Sequence, residues 1–221
     1  MEANYLDNII EQGDAHYASS QHTPLRPDAF ELSDAEKIKR IAHHFEQIMQ
    51  TLGLDLKDDS LAGTPQRVAR MYVEELFSGL NPENAPRLSL FQNPYQYKQM
   101  LVEKDITVQS VCEHHFVPII GRAHVAYISS GEVIGLSKLN RIVRHFCRRP
   151  QVQERLTIEI ADALSEALNT PDVAVLIDAK HYCVIMRGVE DAASSTVTAE
   201  YRGRFRNDST RADFLNYLNL S

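Results

Sequence analysis

The chain, 221 residues long, predicts an α+β fold. Three observations carry that prediction. Apolar residues recur at helical spacing from Ser33 to Gly79, the period changes to two at Asp105, and the helical stretches that follow lie between β-like runs.

Residues 1–30 are polar and mixed, and Pro24 and Pro27 close them. Asn4 to Ala18 carries Tyr5, Ile9 and Ile10 on a thin apolar face compatible with a helix, and the stretch reads as an arm that docks elsewhere or stays mobile. Ser33-Asp34-Ala35-Glu36 reads as a capping box. Ile38, Ile41, Phe45, Ile48, Met49 and Leu52 follow at helical spacing until Gly53. Thr64-Pro65 opens a second helix, with a hydroxyl cap and proline at the first helical position. Val68, Met71, Tyr72, Leu76 and Phe77 carry it to Gly79. Arg67 and Arg70 fall on its polar side, where solvated charge is the ordinary explanation. Pro82, Pro86 and Pro94 make 80–104 a long connection.

From Asp105, Ile106, Val108 and Ser110 alternate with Thr107, Gln109 and Val111, so a strand runs straight into Cys112-Glu113-His114-His115. Ala123 to Ile128 is a second strand, and Ser129-Ser130-Gly131 turns the chain back. The Cys112 turn therefore joins two strands of a hairpin. Gly135-Leu136-Ser137-Lys138 leads into a helix with Leu139, Ile142, Val143, Phe146 and Cys147 on one face, Ser137 as its N-cap and Cys147 as a core thiol. Pro150 ends that helix. Another starts at Gln151-Val152-Gln153-Glu154-Arg155 and turns Val152, Leu156, Ile160, Ala163, Leu164 and Leu168 inward. Val173 to Met186 is the longest β-like run; if continuous, it places His181, Cys183 and Arg187 on one face. A β-rich run over 194–200 and a short helix over 210–218 close the chain.

The strongest chemical signal is the pairing of Cys112-Glu113-His114-His115 with His181-Tyr182-Cys183, about seventy residues later. Two of the chain's three cysteines and three of its nine histidines fall in these short stretches. Zinc takes thiolate and imidazole ligands. Three protein ligands leave a fourth position open, as catalytic sites do, whereas structural sites are closed. Cys112, His115 and Cys183 supply three.

Composition narrows the rest. No apolar run approaches the length of a membrane span and no cationic leader precedes an apolar stretch, so a cytoplasmic protein is expected, with free thiols and no disulfides. A net charge of −7 argues against nucleic-acid binding. Lys138 to Arg155 reverses that sign, with six Lys or Arg residues against Glu154 alone. A helix opening with a hydroxyl and a lysine suits an anion such as phosphate. For Glu154 two readings stay open: interaction with a helix dipole, or acceptance of two N–H bonds from a guanine edge.

Val111-Cys112-Glu113-His114-His115-Phe116-Val117-Pro118, Gly135-Leu136-Ser137-Lys138-Leu139-Asn140-Arg141, Gln151-Val152-Gln153-Glu154-Arg155-Leu156, and His181-Tyr182-Cys183 with Arg187-Gly188 together resemble GTP cyclohydrolase I. The likeness runs from about Thr64 to the C-terminus. It implies a tunnelling fold, an antiparallel sheet with helices packed on one face, with residues 1–60 as N-terminal arm and helical extension and 61–221 as the catalytic domain. It implies hydrolysis of GTP to 7,8-dihydroneopterin triphosphate and formate, the first step toward folate or other pterins. Cys112, His115 and Cys183 match the zinc (Zn2+) ligands, whose bound water attacks guanine C8; His114 and His181 match the acid/base histidines. Glu154 and Gln153 match the guanine contacts. Ser137, Lys138, Arg141 and Arg187 match the ribose-triphosphate contacts, and Arg70 a cation from a neighbouring subunit. The resemblance also implies a homo-oligomer, commonly a decamer, with active sites between subunits. Ser129-Ser130, Arg122 and Glu200-Tyr201-Arg202 depart from the family pattern without removing a catalytic group. Two other readings, a zinc-holding binding protein without turnover and a pterin enzyme of the same fold, are disfavoured by the presence of both histidines and by the two cysteines.

Overall fold

The computed structural model describes residues 20–220; the helix expected over Asn4–Ala18 lies outside them. Among the described residues, strand β1 (Leu90–Gln92) pairs only with β4 (Glu132–Ile134), in a small antiparallel ribbon. The main sheet holds β2 (Met100–Cys112), β3 (Pro118–Ile128), β5 (Pro150–Gln151), β6 (Val173–His181) and β7 (Thr196–Tyr201) in the order β5-β2-β3-β6-β7. All its pairings are antiparallel except β5 with β2.

Period-two alternation sorts the two faces. Val108, Ile119, Ala123, Val125, Val175 and Ile177 point to one side, where α4 (Leu136–Cys147) and α5 (Gln153–Leu168) cover them with Leu139, Val143, Leu156, Ile160 and Leu164. This is the layer the sequence leads one to expect. The opposite face is not bare: Ala126, Ile128 and Ala174 pack under Phe205 and Phe214, the latter on α7 (Asp208–Leu218). Helices therefore lie on both faces, the second only at one end.

Before the sheet come α1 (Asp34–Thr51), a short α2 (Asp59–Ala62) and α3 (Thr64–Arg70). Ser33 caps α1 by accepting from the Glu36 N–H at 3.3 Å, as the capping box requires. The second helix differs from expectation twice. Gly63, not Thr64, occupies the cap, because the Thr64 hydroxyl accepts from Arg67 Nη2 at 2.8 Å. After Arg70 the helix widens into a π-turn over Met71–Leu76, a feature that often marks functional sites. Gly79 brings this unit onto the sheet layer: a Cβ there would stand 2.1 Å from the His145 carbonyl oxygen. Its N–H donates to the Arg148 carbonyl at 2.9 Å.

Two further corrections concern helix starts. Gly135 rather than Ser137 caps α4, and Ser137 sits exposed in the first turn. Val152 caps α5, because Pro150–Gln151 is taken up as β5 beside Val111 and Cys112.

Candidate metal centre and active site

The Cys112 turn is closed by its own backbone: the Cys112 N–H donates to the Val117 carbonyl at 2.8 Å and the Phe116 N–H to the Cys112 carbonyl at 2.9 Å. Closure places Phe116 at φ 54°, a left-handed conformation unusual for a bulky side chain and one that neighbours must hold. Tyr72 and Phe77 do so, with ring centroids 6.4 and 5.3 Å from Phe116. The N-terminal helical unit thus braces the metal turn of its own chain.

The expected continuous strand from Val173 to Met186 ends at His181. Tyr182–Ile185 forms one helical turn, α6, closed by the Met186 N–H on the Tyr182 carbonyl at 3.1 Å. That turn swings Cys183 toward Cys112, so the alternation argument fails while the residues it grouped still meet. One donor atom each from Cys112, His115 and Cys183 lies within 4.8 Å of the others. The spacing fits one metal ion at bond lengths of about 2.0–2.3 Å. Cys112 is buried and Cys183 partly so. Burial and the neighbouring Cys112 push the Cys183 thiol up to about 11; a cation between the two sulfurs would remove the repulsion that opposes ionisation. Arg187 Nη1 lies 2.8 Å from His115 Nε2. Guanidinium only donates, so His115 accepts there with its Nε2 lone pair, and a metal at that nitrogen would have to displace Arg187.

Around the cluster stand the two histidines. His114 Nδ1 lies 3.8 Å from Cys112 Sγ. His181 Nε2 lies 2.7 Å from Gln153 Oε1, and burial lowers its pKa against the raising charge of Glu154. Cys112, His114, Glu154, His181 and Cys183 line one cleft of about 830 Å³, joined by Ser20, Gln21 and His22 of the arm.

Behind the turn runs a polar network that sequence reasoning missed. Buried Arg155 pairs with Glu113 through Nη2 and donates from Nε to Gln151 Oε1 at 3.1 Å. Gln151 Nε2 donates to Glu159 Oε2 at 2.7 Å, and Arg149 Nη1 to Glu159 Oε1 at 3.3 Å. Arg149 Nε reaches the Gly79 carbonyl at 2.8 Å. Two cations and two carboxylates are balanced, as buried charge must be. In the sequence, Arg149 and Arg155 read only as part of a basic stretch.

The remaining expected site residues stay apart from the cleft. Ser137 and Lys138 open α4 just after Ile134, whose N–H donates to Tyr127 Oη at 3.4 Å. Tyr127 pairs with Val173 at one end of the β3–β6 ladder and Ile119 with His181 at the other. Eight residues at about 3.3 Å each separate them by about 26 Å along the strand. Arg141 lies about one helical turn beyond Lys138, and Arg70 is exposed at the end of α3. The structure brings together Cys112, His114, His115, Glu154, His181, Cys183 and Arg187, and does not bring Ser137, Lys138 or Arg141 to them.

The GTP cyclohydrolase I family profile matches residues 41–219. A GTP cyclohydrolase 1 from Flavobacterium johnsoniae is 58% identical over 217 residues, covering 98% of this chain and 97% of that protein. One from Vibrio parahaemolyticus is 54% identical, covering 89% and 90%, and one from an Enterobacter species is 52% identical, covering 91% of each. With the likeness running through the Cys112 turn, both layer helices and the Cys183 turn alike, the chain belongs to the GTP cyclohydrolase I family.

Proposed function

We propose that this chain hydrolyses GTP to 7,8-dihydroneopterin triphosphate and formate, with zinc held by Cys112, His115 and Cys183. The observation that carries the reading is the three-donor cluster, whose two cysteines share one cleft with His114 and His181. When bound, zinc supplies Lewis acidity that brings the pKa of water near neutrality.

The protein's part is recognition and proton traffic. Glu154 faces the cleft from the first turn of α5, where its carboxylate accepts two N–H bonds from the guanine edge and orients C8 toward the cluster. His114 and His181 flank the cluster and move protons as the imidazole ring opens, formate departs, the ribose rearranges and the pterin ring closes. Arg187 meets the triphosphate, and Gln153 supports the guanine through its backbone.

Ser137, Lys138 and Arg141 lie on α4 and do not line the cleft that holds the histidines. They serve the triphosphate held in a neighbouring copy's cleft, with Arg70 as a further cation from a neighbouring subunit. The assembly is a homo-oligomer, commonly a decamer in this family, built on a tunnelling fold with 61–221 as the catalytic domain. The test is to incubate purified protein with GTP, with and without a chelator, and assay formate together with the fluorescence of the oxidised pterin. Both products should appear and chelation should abolish them. GTP binding without either product, in zinc-loaded and assembled protein, would make the chain a binding relative instead.

A further inference from the structure

Gln153 is the first residue of α5, next to Glu154 and 1% exposed. Its amide is enclosed on both ends. Nε2 has the Ile177 carbonyl at 3.1 Å, the Thr196 carbonyl at 2.8 Å and Thr198 Oγ1 at 3.1 Å. Oε1 faces His181 Nε2 at 2.7 Å. Reversing the amide would set Oε1 against two carbonyl oxygens that have no hydrogen to give, at direct-contact distances of 3.1 and 2.8 Å, so one orientation stands.

The threonines give the same direction. Thr157 spends its one hydroxyl hydrogen on the Gln153 carbonyl at 2.8 Å. Thr198, 2.7 Å from Thr157 Oγ1, must therefore donate to it and keeps lone pairs for the Gln153 amide. Proton positions are fixed from a backbone carbonyl through two hydroxyls and one amide to the histidine ring.

We propose that Gln153 is a positioning residue that holds His181 in the Nε2–H tautomer, making Nδ1 the ring nitrogen that accepts and returns protons during turnover. What those protons serve rests on the function proposed above; the tautomer does not. Gln153 is committed to His181 through its side chain and to the helix start through its backbone. Glu154, one residue on, is left to face the cleft. Substrate recognition and the proton carrier are thereby set by adjacent residues of one helical turn.

Ring-nitrogen NMR of zinc-loaded, full-length protein labelled with ¹⁵N-histidine, using His181→Asn for assignment, reads the tautomer directly. Neutral His181 should show protonated Nε2 and bare Nδ1. The reverse pattern, or an even mixture, would overturn the proposal whether or not GTP is turned over. Gln153→Met should lower kcat about tenfold to a hundredfold, the scale set by losing a partner that orients a functional histidine. Zinc content should stay stoichiometric and KM for GTP within about twofold. Unchanged kcat, or a loss confined to KM, would contradict the role. Should Gln153→Met fail to fold, Thr198→Val is the second probe. It removes one acceptor but leaves both carbonyls, so the tautomer should persist, and its loss would count against the proposed orientation. Wild-type protein that yields no formate would sink the proposed function while leaving the NMR result to decide this one.

Discussion

At the Cys112 end of the sheet, the proposed site side chains are held by other side chains; at the Leu136 end, among the described residues, no side-chain hydrogen bond holds Ser137, Lys138 or Arg141. Gln153 fixes His181, Arg155 pins Glu113 beside His114, and Tyr72 and Phe77 brace Phe116. Ser137 and Arg141, by contrast, stand exposed on the opening turns of α4. A metal and two proton carriers need fixed geometry before the ligand arrives, since a small displacement is costly to the rate. Cations that meet a flexible triphosphate need reach and solvent access more than rigidity. Under the proposed function, the difference means that the chain would build the reactive half of a site for itself and offer the anion-binding half outward.

The contrast can be broken most severely at the metal. Cys183→Ser should lose both metal and turnover, read by elemental analysis and formate release; full zinc content with full activity would remove Cys183 from the ligand set. His114→Ala and His181→Ala should come next, keeping the metal while lowering kcat by about 10²–10⁴, the usual worth of a general acid or base. Metal loss in either variant would show that the histidine holds the turn instead.

A smaller effect separates the two ends by acid. His145, on the last turn of α4 and 2.9 Å from Arg149 Nη2, is held near pKa 4, below its ordinary 6.5, by burial and then by the Arg149 charge. The unfolded chain takes up this proton first as pH falls. The stabilisation is therefore complete above about 6.5 and is lost progressively toward about 4. His145→Gln should flatten the change in urea midpoint between about pH 7 and about pH 5; an unchanged slope would show that His145 takes no part in it.

Much of this was legible beforehand, because single residues or short spacings determined it. The capping box at Ser33 needed only its own four residues, and the hairpin carrying Cys112 followed from period-two alternation. The grouping of Cys112, His115 and Cys183 followed from the metal's demand for soft donors, even though Cys183 arrives on a helical turn and not on the predicted strand. What stayed hidden depends on tertiary context. The caps at Gly63 and Val152 reflect the Arg67 side chain on the Thr64 hydroxyl and the pairing of Pro150–Gln151 with Val111 and Cys112. Half-buried Arg149 and buried Arg155 and Glu159 look like surface charge until the helices that cover them are in place. The separation of Ser137 from His181 appears only once the strand register is known.

The measurement that bears most directly on the account mixes two inactive chains. Cys183→Ser keeps the anion end and loses the metal end; Lys138→Ala combined with Arg141→Ala does the opposite. Each variant alone should be inactive. Co-assembled in equal amounts, they should recover about a quarter of wild-type GTP turnover, because random neighbours in a closed symmetric ring reunite two intact halves at that frequency. Mixed assemblies, verified by differential tags, that remain as inactive as their parents would contradict a site shared between copies.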